Sequence, residues 1–292
     1  MKPAPFDYIR PDSLEEVCAI LAADEGARII AGGQTLVPML AMRLARPSRL
    51  VDIQRLRELS DIREDNSAIV IGAATRQAIA EKHDLVATRL PLLAKALPWV
   101  GHPPTRNRGT VGGSIAHADP SAEIPLVSVT LDAEIVLHSE GGMEIMLAND
   151  FFVGPMVTAI PMGACLTAVR FPVWADKRIG VGFHEISARR SDFAFVSAAA
   201  QVAVDAAGVC ARCAIGIGGA GDRPVRLDGA SAALVGTKLS DREIRDAVAG
   251  DADQLETISD LHASADYRRR VAAVLAGRAV IDAREAALGV LQ

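Results

Sequence analysis

Two glycine pairs constrain this chain more than any other feature. They stand in Ala31-Gly32-Gly33-Gln34-Thr35-Leu36 and Thr110-Val111-Gly112-Gly113-Ser114. Glycine admits positive φ and lets other atoms come close to the backbone. Each pair ends or interrupts an apolar, strand-like run, and either one alone is explained by a tight turn. Together they allow more. Successive backbone N–H groups in such turns can converge on an anion without any lysine, and Thr35, Thr110 and Ser114 add hydroxyl donors. The pattern suits a pyrophosphate held by two loops about 80 residues apart in the chain.

A third cluster, Gly216-Ile217-Gly218-Gly219-Ala220-Gly221, matches G-x-G-x-x-G after a strand. A dinucleotide fold needs a helix to start inside that motif, so that its N-terminus meets the pyrophosphate. Asp222-Arg223-Pro224 follows instead, which reads as a loop, and a plain turn is expected.

Around these loops the periodicity predicts a helix over 13–23 behind the capping box Ser13-Leu-Glu-Glu16. Strands are expected at 28–31, 49–53 and 68–74. Thr75 is expected to cap a helix near 76–81, and one helix should span 85–97 up to Pro98. The segment 101–125, with four Gly and four Pro, reads as a long irregular stretch of the kind that carries function. A hairpin follows (133–138 with 144–147, around Gly141-Gly142), then a strand at 166–171 and a junction at 172–177. Beyond it, strands at 182–186, 195–204 and 210–217 precede helices at 241–249, 264–275 and from 278 to near the end. Strands followed by helices mark a separate α+β unit. The division expected is 1–177, with subdomains of about 1–56 and 57–177, and 178–292.

The 292 residues are half hydrophobic with a net charge of −5 and no basic block, which argues against a nucleic-acid-binding surface. No secretory h-region or 18-residue apolar run is visible, so a cytoplasmic protein without a membrane span is expected. Four cysteines fit reduced thiols. Cys210 and Cys213 lie three apart on a strand, on opposite faces by strand geometry, and read as small hydrophobes. Four cysteines so spread cannot hold an iron–sulfur cluster. His117, Asp119 and Glu123 could be metal ligands or an acid–base set, but Pro120 and the glycine-rich context favour a cofactor loop. Arg106 and Arg108 read equally as solvated charges or as a basic collar near phosphates or a partner.

At these residues the chain resembles the FAD-binding (medium) subunits of molybdenum hydroxylases, the xanthine dehydrogenase and aerobic carbon monoxide dehydrogenase family. The family's A-G-G-[HQN]-[ST]-L corresponds to 31–36, its T-[IV]-G-G-[NS] to 110–114, and its H-A-D-P-x-x-E-x-P to His117–Pro125. Phe6-Asp7-Tyr8…Pro11 and Arg189-Arg190-Ser191-Asp192-Phe193-Ala194 also fit, so the likeness spans essentially the whole chain.

The resemblance implies an α+β fold: a two-part FAD-binding domain of the p-cresol methylhydroxylase type, then a smaller C-terminal domain of antiparallel sheet plus helices. It implies that Ala31, Gly32, Gly33, Gln34, Thr35 and Leu36, with Thr110, Gly112, Gly113 and Ser114, bind the FAD pyrophosphate. His117 and Asp119 lie in the same cofactor loop, and Glu123 binds the adenosine end. Leu166 is an apolar contact, Val100 and Phe193 flank the isoalloxazine, and Arg189, Arg190 and Asp192 form a basic–acidic stretch beside it. Gln34 stands where some relatives carry His, and the lysine that some carry just before the arginine pair is missing from 184–188.

FAD is expected to be noncovalent, since the first histidine is His83. Electrons are expected to come from [2Fe–2S] clusters in a small partner subunit, after hydroxylation at a molybdenum cofactor in a large one, and to leave to an external acceptor. A doubled heterotrimer is implied. The alternatives are a self-sufficient flavin oxidase or reductase of the same superfamily, and a nucleotide-binding scaffold that kept the loops.

Overall fold

In the computed structural model, residues 2–289 are described. Ser13 caps α1 (Leu14–Ala23), its side chain accepting from the Glu16 N–H at 3.2 Å. The Glu16 carboxylate reaches back one residue further than a capping box requires, to the Asp12 N–H at 2.9 Å. Helix α1 and the short α2 (Leu36–Ala41) are the crossovers of a three-stranded parallel sheet made of β1 (Asp7–Ile9), β2 (Ala27–Ile30) and β3 (Arg49–Asp52), in the order β1-β3-β2. Val17, Cys18, Ala27 and Val51 form its small core.

The next lobe is built on an antiparallel sheet of order β4-β5-β10-β6-β7. Its strands are β4 (Ile62–Asp65), β5 (Ala68–Gly72), β6 (Glu134–Ser139), β7 (Gly142–Leu147) and β10 (Cys165–Pro172). The small β8 (Phe152–Gly154) and β9 (Val157–Thr158) pair separately. Two expectations fail here. Thr75 is fully buried and Arg76 is the N-cap of α3 (Gln77–Lys82). The helix expected over 85–97 is two helices, α4 (Asp84–Arg89) and α5 (Pro91–Ala96), because Pro91 has no N–H to continue α4 but suits a first helical position.

The stretch 101–125 is largely helical rather than irregular: α6 (Pro103–Arg108), α7 (Val111–His117) and the start of α8 (Glu123–Thr130). Its prolines and glycines are helix punctuation. Pro103 opens α6, Thr110 caps α7, and Ala118 closes α7 in the left-handed region at φ +52°. From Ile124 to Thr130 every residue of α8 is buried, so the helix is apolar all round and shows no 3.6-residue stripe. The four-residue α9 (Ala148–Phe151) follows β7.

The C-terminal unit is an antiparallel sheet of β11 (Ile179–Ile186), β12 (Val196–Val204), β13 (Cys210–Gly218) and β14 (Val225–Arg226), in that order, with α10 (Asp228–Leu234), α11 (Asp241–Ala252) and α12 (Ala265–Leu288). The two helices expected after 264 are one, since Gly277 inside an alanine-rich helix costs only about 1 kcal/mol. Strand β12 is buried on both faces. Its Val196, Ala198, Ala200 and Val202 pack into the core beside α12, while Ala199 joins the core of the preceding lobe.

Gly216 and Gly218 lie within β13, and a Cβ on Gly216 would collide with the Thr130 hydroxyl and Leu126 of α8. The third glycine cluster is thus where α8 presses on the sheet, followed by β14 and no helix until Asp228. Cys210 and Cys213 do not point to opposite faces. Pairing of Val204 with Cys210 but Ala203 with Arg212 makes Ala211 a bulge residue, and the bulge brings both thiols, unpaired, into one core. Among the described residues no helix is long and apolar enough to cross a membrane.

Candidate cofactor site

Strand β2 ends at Ile30, and the chain enters the first glycine loop on the way to α2. Among the described residues none of the backbone N–H groups of Gly32, Gly33, Gln34, Thr35 and Leu36 finds a hydrogen-bond partner. Gly33 sits at φ +69°, which turns this run of donors. Gly32 lies so close to the Arg108 carbonyl and Gly109 that no side chain would fit, which sets the first loop directly against the entrance to the second.

The second loop is the first turn of α7, and its donors are used otherwise than expected. The Val111 N–H donates to the Thr75 carbonyl at 3.0 Å and that of Gly112 to the Ala73 carbonyl at 2.9 Å. The Gly113 N–H donates to the Thr110 hydroxyl at 3.0 Å. These bonds tie α7 to the end of β5, and Gly112 is packed on Ala73. From Val111 to Ser114 every N–H is thus spent inside the protein, so the run of free donors is that of the first loop.

Arg76, which no motif marked, stands between them. Its guanidinium donates to the Arg108 carbonyl and to Gln54 Oε1 at 2.6 Å. Burial and the charge of Arg108 hold it below the usual arginine range. Two arginines crowded beside a row of unpaired N–H groups create a positive potential that an anion relieves. Arg106 is neither a solvated charge nor a collar. It is buried, bonded through Nε and Nη2 to both Glu81 oxygens at 2.8 and 3.2 Å, and through Nη1 to the Val100 and Gly101 carbonyls at 3.1 and 3.0 Å.

Val100, Ile115, Ile124 and Leu166 share one apolar core. Asp119 Oδ1 accepts from the Ser121 N–H at 2.9 Å, shaping the turn that delivers Glu123 to the start of α8. Burial raises the Glu123 carboxyl to about 7, with the Asp119 charge adding to the rise and that of Arg106 opposing it. Arg190 lies over the Trp99 ring, 5.9 Å from its centroid, next to Val100. Arg189 is exposed and paired with Asp192 at 3.0 Å. Phe193 is 74% exposed. Both line a cavity of about 460 Å³ together with Pro120, Ser121 and Arg268. His117, Asp119 and Glu123 make no metal cluster: among the described residues no three His, Cys, Asp or Glu side chains converge.

A two-part α/β lobe with a free-donor glycine loop, followed by an antiparallel sheet with helices, is a scaffold suited to an anionic nucleotide cofactor. Residues 4–174 match the family of the FAD binding domain in molybdopterin dehydrogenase, and residues 182–283 the CO dehydrogenase flavoprotein C-terminal domain. The chain is 38% identical over 284 residues to the 6-hydroxypseudooxynicotine dehydrogenase complex subunit alpha of Paenarthrobacter nicotinovorans, covering 97% of this chain and 96% of the relative. It is 35% identical over 281 residues to the carbon monoxide dehydrogenase medium chain of Afipia carboxidovorans, covering 96% and 97%. A chain of quinoline 2-oxidoreductase from Pseudomonas putida 86 superposes with a TM-score of 0.93 at 36% identity, covering 99% and 100%. This chain therefore belongs to the FAD-binding medium subunits of the molybdenum hydroxylase family, and is an oxidoreductase subunit.

Proposed function

We propose that this chain is the electron-transfer flavoprotein of a molybdenum-containing hydroxylase, working with a small [2Fe–2S] subunit and a large molybdopterin subunit as a doubled heterotrimer in the cytoplasm. The carrying observation is the row of unpartnered N–H groups from Gly32 to Leu36 beside Arg76 and Arg108. It fits a pyrophosphate, whose oxygens are acceptors only. Bound here noncovalently, FAD would supply the exchange of electrons between the partner's clusters and an external acceptor. The protein supplies position, charge and access.

In this reading Ala31 to Leu36 hold the phosphates directly. Thr110, Gly112, Gly113 and Ser114 brace the opposite wall through the bonds from α7 to β5. Glu123, with Asp119 shaping its turn and His117 one helix earlier, faces the adenosine half. Val100 and Leu166 present apolar surface to the ring system, and Arg189, Arg190 and Phe193 close the site from the C-terminal unit. The division at 177/178 then separates an FAD-binding domain from one that covers it.

The test is titration of the purified chain with FAD, followed by absorbance and by quenching of flavin fluorescence. Saturable binding at one site, lost in Gly33→Val, is expected; failure of the wild-type chain to bind FAD would overturn the reading. Purification from the native host with iron- and molybdenum-containing partners is expected too. Turnover of a small substrate by the chain alone would instead support the self-sufficient oxidase.

A further inference from the structure

Asp52 ends β3, the middle strand of the parallel sheet. In the register it stands opposite Ile30, the last residue of β2 before the first glycine loop. Open parallel sheets bind ligands beyond the carboxyl ends of their strands, so this carboxylate lies at the ligand-binding edge of its sheet. Its side chain is 2% exposed.

Three donors hold it as an anion. The Tyr8 hydroxyl on the neighbouring β1 and Arg10 Nε, at 3.2 Å, both donate to Oδ2, and the Gln54 N–H donates to Oδ1 at 2.9 Å. Burial opposes the charge, but these bonds keep the carboxyl below the usual carboxylate range. The last of them fixes the backbone of the residue that meets Arg76. Gln54 Oε1 accepts from Arg76 Nη2 at 2.6 Å, while Arg76 Nη1 donates to the Arg108 carbonyl, the same carbonyl against which Gly32 is packed.

Arg76 is fixed at its other end as well, since its backbone bridges to Thr110. Both acceptors of its guanidinium are neutral oxygens, so they orient the charge without cancelling it. Burial and the charge of Arg108 work against that charge, and Asp52 supports it from a distance. An arginine oriented in this way keeps its remaining N–H groups for an anion.

We propose that Gln54, anchored by Asp52, is a positioning residue that presents Arg76 to the phosphates of FAD. The inference rests on the FAD reading above. The relay runs from Tyr8 and Arg10 through Asp52 and Gln54 to Arg76, and it brings a cation of the second lobe to the free donors of the first.

The experiment measures the dissociation constant of the full chain for FAD by quenching of flavin fluorescence, in wild-type and Arg76→Met backgrounds, with the melting temperature of each apo variant. Gln54→Leu, at an exposed position, is expected to melt like wild type and to weaken FAD about threefold or more, and to have no effect once Arg76 is replaced, because steps of one relay are not additive. Asp52→Asn is expected to weaken FAD in the same Arg76-dependent way. Loss of its charge alone would tighten the binding of an anion, so weakening reports a displaced Arg76. Unchanged FAD affinity in Gln54→Leu, or equal weakening in both backgrounds, overturns the inference, and tighter binding by Asp52→Asn overturns the anchoring by Asp52. If Asp52→Asn does not fold, Gln54→Leu decides. If Arg76→Met binds FAD too weakly to measure, the salt dependence of FAD affinity in Gln54→Leu decides: a flatter dependence than wild type is expected, since a cation has left the phosphates, and an unchanged one overturns the inference. A wild-type chain that binds no FAD sinks the underlying reading instead.

Discussion

Arg106 offers the sharpest quantitative test of how the wall beside Val100 is held. Its guanidinium makes four hydrogen bonds, two to Glu81 and one each to the carbonyls of Val100 and Gly101. Its side chain is 10% exposed and that of Glu81 is 21% exposed. Removing one member of a buried ion pair costs about 3–5 kcal/mol, most of it from the charge left behind. Glu81 retains some water access, so Arg106→Ala should lie near the lower end, about 3 kcal/mol, with the two carbonyls adding a little as water replaces the guanidinium. Arg106→Lys keeps the charge but not the two-pronged geometry, and should cost about 1–2 kcal/mol.

The assay is urea unfolding of the apo chain for both variants, for Glu81→Gln, and for the double variant Arg106→Ala/Glu81→Gln. The double variant should lose much less than the sum of its parts, with a coupling of about 2 kcal/mol. FAD affinity should fall with Arg106→Ala, because Val100 and Gly101 lose their anchor. An Arg106→Ala loss under about 1 kcal/mol, or strict additivity in the cycle, would refute the structural role assigned to this arginine.

Gly33→Val places a β-branched residue at φ +69° with its Cβ 3.1 Å from Val37 Cγ2. It should cost about 1–2 kcal/mol of stability and most FAD affinity, and unaltered binding by fluorescence titration would remove the loop assignment. Gly216→Val would drive a side chain into Thr130 and Leu126 of α8, a helix buried on all sides. Destabilisation by about 2–3 kcal/mol is expected in thermal unfolding, and wild-type stability would show that α8 does not pack on β13 as described.

The third concerns pH. Glu123 and Glu185 are raised from an ordinary 4.5 to about 7 and about 8. The fold therefore binds their protons more tightly than the unfolded chain. Their stability contribution is fully present below about pH 4.5 and is lost as pH rises through 7 and 8. The charges acting on them are those of Asp119 and Arg106 on Glu123, and of Glu123 on Glu185. Relative to Glu185→Gln, wild-type apo protein should become progressively less stable from pH 5 to pH 8, measured by urea unfolding at each pH. A pH-independent difference between the two would contradict the placement of these carboxyls.

Much of the fold was legible where one face of an element is wet. Helix α1 announces itself through Ser13 and its spaced apolar residues, and the hairpin of β6 and β7 through Gly141-Gly142. The failures lie where local pattern is silenced by burial or by punctuation. In α8 no polar face remains to give a period, and in 101–125 the prolines and glycines that look like loop composition are starts and stops of short helices. A single bulge at Ala211 reversed the expected facing of Cys210 and Cys213, since a period-2 strand inverts at every inserted residue. Arg76 and Glu185 carried no signal, because their neighbours come from strands and helices far away in the chain.

The three glycine clusters show why composition alone could not assign roles. At Gly32 and Gly33 the missing side chains allow a turned run of donors that the protein itself leaves unpaired. At Gly112 the same residue type lets α7 lie on Ala73, and the N–H groups from Val111 to Ser114 are all used within the protein. At Gly216 and Gly218 it lets a buried helix and a buried serine press against a sheet. What separates a binding loop from a packing device is whether its backbone donors are paired. By that criterion the first cluster is the one that suits the phosphate role proposed above.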